Sequence, residues 1–262
     1  MPTTAEAQNL LASLSNIRFY QRFEIVPGVF TPSGVDSELM LEAAQVPHDM
    51  KGKTVLDVGC FNGAVGFLCE RRGASRVVCI DVNPDPQTLG ITQIRDFLGS
   101  KIEYSCCNLY DITLNQLGKF DYVICFGVLY HLRHLLLGID MLYQATRETC
   151  FIETAFCDNL VPSEVKDQNV IFFDYPHFYN PADHSNWFLP TLRAYAHILE
   201  NCGFRAELCK IWGDEKGELV QGKPHRCTFK CTPLSAPKWI ELGSYEGLYP
   251  AERFRVLVRG HL

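Results

Sequence analysis

The chain has 262 residues, 47% hydrophobic and 21% charged, with a net charge of −6 and an isoelectric point near 5.8. A chain of this length and balance folds around a sizeable core, which excludes a disordered polymer. No apolar run approaches the roughly 20 residues that span a bilayer, and the acidity speaks against a dedicated nucleic-acid grip, which usually shows a basic face.

Residues 1–50 read as an N-terminal annex. A short helix near 5–15 lacks the basic start and apolar core of a secretion signal, so a cytoplasmic location is expected. The segment at 18–25 leads into a proline- and glycine-rich turn at 27–34, and Asp36 caps a helix reaching about residue 45. From residue 53, strand and helix patterns alternate as a parallel sheet requires. Strands fall near 53–58, 77–81, 102–105, 121–126 and 149–155, and helices near 63–72, 88–98 and 135–147.

Residues 157–190 are interrupted by Pro162, Pro176, Pro181 and Pro190 and crowded with aromatics, as in a lid or substrate loop inserted in a domain. A helix over 191–201 ends at Gly203. Strands follow near 204–212, 226–231 and 255–259, with an exposed turn at 214–222. The expected fold is α/β, a Rossmann-like doubly wound, seven-stranded and mostly parallel sheet. It occupies 51–262, with the annex and the lid attached. Cys79, Cys125 and Cys150, three of the twelve cysteines, lie inside predicted strands, where a thiol acts as a small hydrophobe. Free thiols in a reducing compartment are expected.

The run Val55-Leu56-Asp57-Val58-Gly59-Cys60-Phe61-Asn62-Gly63 is a buried strand that ends in a glycine-containing turn before a helix. Gly59 lets backbone approach a ligand, and Gly63 lets the helix pack close to the strand. Twenty-four residues after Asp57, a second strand ends in Asp81, where an acid can accept the two hydroxyls of a ribose. Together these mark an adenosine-binding site.

VLDVGCFNGAVGF, VVCIDVNP and FDYVICFGVLYHL resemble three motifs of the class I S-adenosylmethionine-dependent methyltransferases over about 50–232. Phe61 stands where the commoner motif has its middle glycine. The segments GVLYHL at 127–132, NWFLPT at 186–191 and NCGF at 201–204, with the lead-in at 23–32, resemble the branch named for the tRNA wobble-uridine (5-methoxyuridine and 5-oxyacetate) methyltransferases.

The resemblance implies S-adenosyl-L-methionine as cofactor. It implies a donor site built from Asp57, Gly59, Cys60, Phe61, Gly63, Asp81, Val82, Asn108, Leu109, Gly127 and Val128. Asp81 would take the ribose hydroxyls, Val82 the adenine face and Asn108 the adenine amine, with Gly127 and Val128 beside the sulfonium. In the branch enzymes that transfer a carboxymethyl group, a tyrosine, a lysine and an arginine bind the cofactor carboxylate. Tyr130 matches the tyrosine. Residues 18–22 offer no lysine, and residues 249–255 match the arginine region only with an offset, so the ordinary cofactor is expected.

His131, Tyr130 and His184 are the candidate catalytic residues. A histidine that titrates near neutrality suits the deprotonation of a hydroxyl, and the alternative for His131 is a helix cap or a buried hydrogen bond. Tyr20, Arg22, Tyr130, Asp174, His177 and Trp187 are the candidate acceptor contacts. Asp174, His177, Asp183 and His184 match no closed zinc spacing, and no metal is expected. The expected reaction is O-methylation of a small molecule such as a sugar or natural product. A tRNA wobble uridine is the alternative acceptor, with Arg18, Arg22, Arg253, Arg255 and Arg259 as its basic patch. A non-catalytic cofactor-binding subunit is the third reading. No membrane partner is expected, and a homo-oligomer is possible.

Overall fold

A computed structural model describes residues 2–112, 117–165, 167–174, 184–212 and 224–235. The annex opens with α1 (Thr4–Ser13), whose N-terminus is held by a reciprocal capping box between Thr3 and Glu6. Four short strands follow: β1 (Gln21–Arg22), β2 (Glu24–Val26), β3 (Val29–Phe30) and β4 (Val35–Asp36). β2 and β3 pair as an antiparallel hairpin, and β1 pairs with β4 in parallel. In α2 (Ser37–Ala43), the Asp36 carboxylate accepts the backbone N–H groups of Glu38 and Leu39, the cap expected from sequence.

The remaining elements are β5 (Thr54–Val58), α3 (Ala64–Arg71), β6 (Arg76–Asp81), α4 (Ile91–Leu98), β7 (Glu103–Cys106), β8 (Phe120–Phe126), α5 (Leu135–Ala145), β9 (Thr146–Phe156), β10 (Ile171–Phe173), β11 (Phe188–Pro190), α6 (Leu192–Asn201), β12 (Phe204–Trp212) and β13 (His225–Pro233). Seven strands form one sheet in the order β12-β13-β9-β8-β5-β6-β7. β7, β6, β5, β8 and β9 run parallel, β13 is reversed between β9 and β12, and the edge strand β12 runs in the direction of the parallel set. The mostly parallel seven-stranded sheet expected from sequence is therefore present. The helix expected at 88–98 starts later, at Ile91, because residues 83–90 are spent on a chain of local turns led by Asn83 and Asp85.

Period-two alternation sorts the strands between two cores. Val55, Val77, Cys79, Tyr122, Ile124 and Phe151 face the layer that contains the annex, α3 and α4. Leu56, Val58, Val78, Ile80, Val123, Cys125 and Ile152 face α5 and α6. Annex residues Ala7, Phe19, Phe23 and Leu41 thus belong to the same hydrophobic cluster as the central strands. By the same alternation Asp57, Glu153 and Arg226 fall on the annex side of the sheet.

The segment expected to be irregular contains a two-stranded antiparallel piece, with Ile171, Phe172 and Phe173 opposite Pro190, Leu189 and Phe188. Pro190 is tolerated at the end of β11, where its missing donor costs little. The features expected at 214–222 and 255–259 lie outside the described residues. All twelve cysteines are free thiols, most of them buried in the sheet and its helices. Among the described residues no helix is long and apolar enough to cross a membrane.

Candidate active site

Strand order reverses at β5, which lies between β6 and β8. Open α/β sheets bind ligands at the carboxyl ends of the strands at such a point. The turn after β5 is tied to β6 by the N–H groups of Gly59 and Cys60, which both donate to the Ile80 carbonyl at 2.8 and 3.1 Å. Gly59 has φ +69°, and the methyl of an alanine there would sit 2.5 Å from Val128 Cγ2. The first glycine is therefore required twice, by its backbone angle and by the closeness of the loop after β8.

Phe61 occupies the middle-glycine position with φ 46°, so the glycine conformation persists without the glycine. A bulky residue there is strained by roughly 1–2 kcal/mol. Two contacts hold it: its N–H donates to Asp81 Oδ2 at 3.0 Å, and its ring meets Tyr20 edge-on at 6.2 Å. Phe61→Gly is expected to be more stable than Phe61→Ala by about 1 kcal/mol in urea unfolding, the reverse of the usual order of these two residues. Both variants lose the ring, and only the glycine relieves the backbone, so equal midpoints would contradict the strain.

Asp57 does not face solvent. Its carboxylate points down under the turn and accepts the Gly66 N–H of α3 at 3.2 Å. Burial foremost, with the nearby Asp81 charge adding to it and the Gly66 bond opposing, pushes its pKa up to about 7. Asp81 accepts Phe61 N–H on one oxygen and Asn83 N–H on the other, 3.0 and 3.1 Å away, which fixes the carboxylate plane at the end of β6. Beside it Val82 is 66% exposed, an apolar side chain presented at the sheet edge. Asn108 caps the 3₁₀ turn Leu109–Asp111 by accepting the Tyr110 N–H, so its Oδ1 already serves a local role, and Leu109 is buried. Cys60 is buried beneath the turn.

The residue after Phe61 carries no signal that sequence reasoning used, yet it joins three segments. Asn62 is fully buried; its Oδ1 accepts Tyr20 N–H at 2.8 Å, and its amide donates to the carbonyls of Arg18 and Leu89. The annex is thereby fastened to the glycine turn, with Tyr20 beside Phe61.

On the other side, Gly127 (φ +73°) ends β8, and a 3₁₀ turn, Leu129–His131, follows. Tyr130 is buried, and its hydroxyl accepts from Arg226 Nη1 at 2.8 Å. Arg226 also grips Glu153 through Nε and Nη2, the latter 2.6 Å from Oε2. Burial pushes the Tyr130 hydroxyl well above its ordinary pKa, so it is a neutral phenol. Burial works against the Arg226 charge, but the Glu153 carboxylate more than offsets it. Sequence reasoning missed Glu153 and Arg226. For Glu153 the signal was present, since it is the lone charge in the apolar run Cys150–Phe156; Arg226 shares its strand with Lys230 and carried no such signal.

His131 is half-buried, its Nδ1 2.9 Å from Ser185 Oγ and 3.2 Å from the Ser185 carbonyl. With the Nδ1 proton on that carbonyl, Nε2 carries the lone pair, the tautomer a general base needs. The hairpin is joined here too, since Trp187 N–H donates to the Tyr130 carbonyl at 2.8 Å and Arg133 lies over the Trp187 ring at 4.5 Å. Arg22, by contrast, is engaged within the annex, 2.5 Å from Asp36 and stacked on Phe30. Asp174 is buried, its N–H on the Trp187 carbonyl, and His184 is exposed. His177 and Asp183 lie outside the described residues.

A family described as methyltransferase domain matches residues 35–208. The tRNA U34 carboxymethyltransferase of Colwellia psychrerythraea is 33% identical over 171 residues, covering 60% of this chain and 46% of that protein. The protein of the same name from Campylobacter hominis is 28% identical over 195 residues, covering 72% and 64%. The chain spans about half the length of most curated relatives it matches. Among solved structures, the N-terminal domain of EvdMO1 in the presence of SAH and D-fucose aligns with TM-score 0.62 and 15% identity over 89% of this chain and 98% of that one. An S-adenosylmethionine dependent methyltransferase from Mesorhizobium loti aligns with TM-score 0.52 and 15% identity over 74% and 96%. These last two similarities establish the fold.

Proposed function

The chain belongs to the class I S-adenosylmethionine-dependent methyltransferase family, and from that premise we propose that it moves the sulfonium methyl of S-adenosylmethionine to an oxygen acceptor lying over His131. The observation that carries this reading is the convergence of Gly59, Asp81 and Gly127 at the point where strand order reverses, with Val82 exposed beside Asp81. Asp81 receives the ribose hydroxyls, Val82 supports the adenine, and the bare backbone at Gly59 and Gly127 flanks the methionine and sulfonium. The carboxylate of Asp81 gives the site a sign that suits a cationic donor, Glu153 being neutralised by Arg226.

Transfer is an in-line displacement: the acceptor oxygen forms its bond to the methyl carbon as the bond to sulfur breaks, and the sulfur keeps the electron pair. Alignment of donor and acceptor supplies most of the rate. His131, oriented by Ser185, takes the acceptor's proton on Nε2. Tyr130, as a neutral phenol bonded to Arg226, positions the loop rather than acting as a base.

Two acceptors compete. The names of the curated relatives favour a tRNA wobble uridine, and they support it more strongly than any comparison supports a small molecule. Two observations speak for a small hydroxylated molecule instead. The net charge is −6, and Arg22, one member of the expected basic patch, is held by Asp36. Arg253, Arg255 and Arg259 lie outside the described residues. Calorimetry with S-adenosylmethionine and its demethylated product tests the donor, and its failure would end the methyltransferase reading. Mass spectrometry of tRNA and of metabolite extracts after incubation then separates the acceptors. Activity on tRNA that falls steeply with salt supports the uridine reading. His131→Ala is expected to lower turnover about 100-fold, within the range for loss of a general base; near-normal turnover with the true acceptor removes His131 from that role.

A further inference from the structure

Asn62 stands inside the glycine turn, between the left-handed Phe61 and Gly63, and is fully buried. Its partners fix the orientation of its amide. Nδ2 donates to the carbonyls of Arg18 and Leu89 at 3.2 and 2.7 Å, and Oδ1 accepts the Tyr20 N–H at 2.8 Å. We propose that Asn62 is a positioning residue that couples the donor to the annex: a donor bound at the glycine turn orders residues 17–23, and the ordered segment in turn holds the turn ready for the donor. This rests on the reading of the turn at 59–63 as the donor turn.

The annex is attached in two ways. Its later part is fastened away from the turn, Arg71 donating to the carbonyls of Glu24 and Ile25 and Arg72 to those of Val46 and Pro47. The end of α2 is held from the sheet, where the Thr228 hydroxyl donates to the Ala43 carbonyl at 2.9 Å. Near the turn the link is different. Among the described residues, the hydrogen bonds from residues 18–20 to the glycine turn are all made by Asn62. The same amide reaches Leu89, in the loop that follows Asp81, and Ile17 and Phe19 lie 3.4 and 3.5 Å from the place a methyl would take at Gly90.

One amide thus joins the annex, the glycine turn and the loop after β6. Phe61, its backbone neighbour, donates to Asp81. A donor whose ribose sits on Asp81 restrains Phe61 and, through it, the direction of the Asn62 side chain. A ligand that binds only this closed arrangement suppresses its local opening by a factor set by the ligand concentration over Kd. The coupling is reciprocal, so cutting the annex contact weakens the donor's hold.

The test is hydrogen exchange of the full chain, read by mass spectrometry with and without the demethylated product of S-adenosylmethionine at about 100 times its Kd. In the wild type, exchange of residues 17–23 is expected to slow about tenfold or more, and that of α2 by less than about threefold. In Asn62→Ala the slowing of 17–23 is expected to vanish, and Kd of the same probe by calorimetry to rise about tenfold. A residue that only supported the fold would loosen 17–23 equally with and without the probe, leaving the slowing in place. Should the alanine variant fail to fold, Asn62→Asp carries the same expectation, since its carboxylate still accepts the Tyr20 N–H but has no proton for the two carbonyls.

A wild type that binds the probe with no change at 17–23 overturns the proposal, as does slowing that persists in the folded variant. Equal slowing of α2 and 17–23 overturns it too, because that is general tightening. A wild type that does not bind the probe refutes the donor site itself, and the proposal with it.

Discussion

Asp81→Ala is expected to weaken binding of S-adenosylmethionine and of its demethylated product about 100-fold, measured by calorimetry on folded protein. Under the proposed placement, the ribose hydroxyls lose a charged acceptor. A hydrogen bond to a charged group contributes about 1.5–3 kcal/mol, and 100-fold in affinity is about 2.7 kcal/mol. The same carboxylate accepts Phe61 N–H and Asn83 N–H, so the alanine also unlocks the strained residue of the turn. Asp81→Asn keeps an acceptor oxygen and most of the local bonding, and it is expected to lose less. A folded alanine variant that binds within threefold of wild type would remove Asp81 from the donor site.

Asp57 is expected to make the stability of the ligand-free protein fall as pH rises through the slightly acid range. Its folded-state pKa is raised to about 7 by burial, whereas an unfolded aspartate titrates near its ordinary value of 3.8. Below about pH 4 both states are protonated, and the buried neutral carboxyl costs little. Between the two values the folded state keeps a proton that the unfolded state has released, so stability declines with pH; above about 7 both are ionised and the full penalty is present. At about 1.4 kcal/mol for each pH unit separating the two values, the change between pH 5 and pH 8 is on the order of 2–3 kcal/mol.

Asp57→Asn has no proton to exchange. Urea unfolding at pH 5, 6, 7 and 8 should therefore show the wild type losing on the order of 2–3 kcal/mol relative to the asparagine variant across the series. The comparison is a slope, so any fixed cost of the buried amide cancels. A flat difference would mean that Asp57 is ionised throughout.

The placement of Asp57 also shows where sequence reading stops. Its position at the end of the first parallel strand was legible from the apolar run and the following glycine. That it points under the turn to Gly66 follows from the period-two alternation that puts it on the face of Val55 and Cys79, but only once α3 is known to cover that face. Asn108 is a parallel case: its place after β7 was legible, whereas its use as the cap of a 3₁₀ turn depends on where the chain goes next.

Local chemistry determined the elements. Buried strands, glycine turns, the Asp36 cap and the helix closed by Gly203 follow from apolar periodicity, positive φ and side-chain capping, which act within a few residues. Those interactions sufficed to place the glycine turn after β5, Asp81 at the end of β6 and the segment at 127–131 after β8. Tertiary structure alone brought Arg226 to Glu153, 73 residues away, and Asn62 to Tyr20, 42 residues away. It also brought Ser185 to His131, 54 residues away. Those pairings arise from sheet order and from which face the annex covers, and a charge in a strand does not reveal from sequence which other strand will neutralise it.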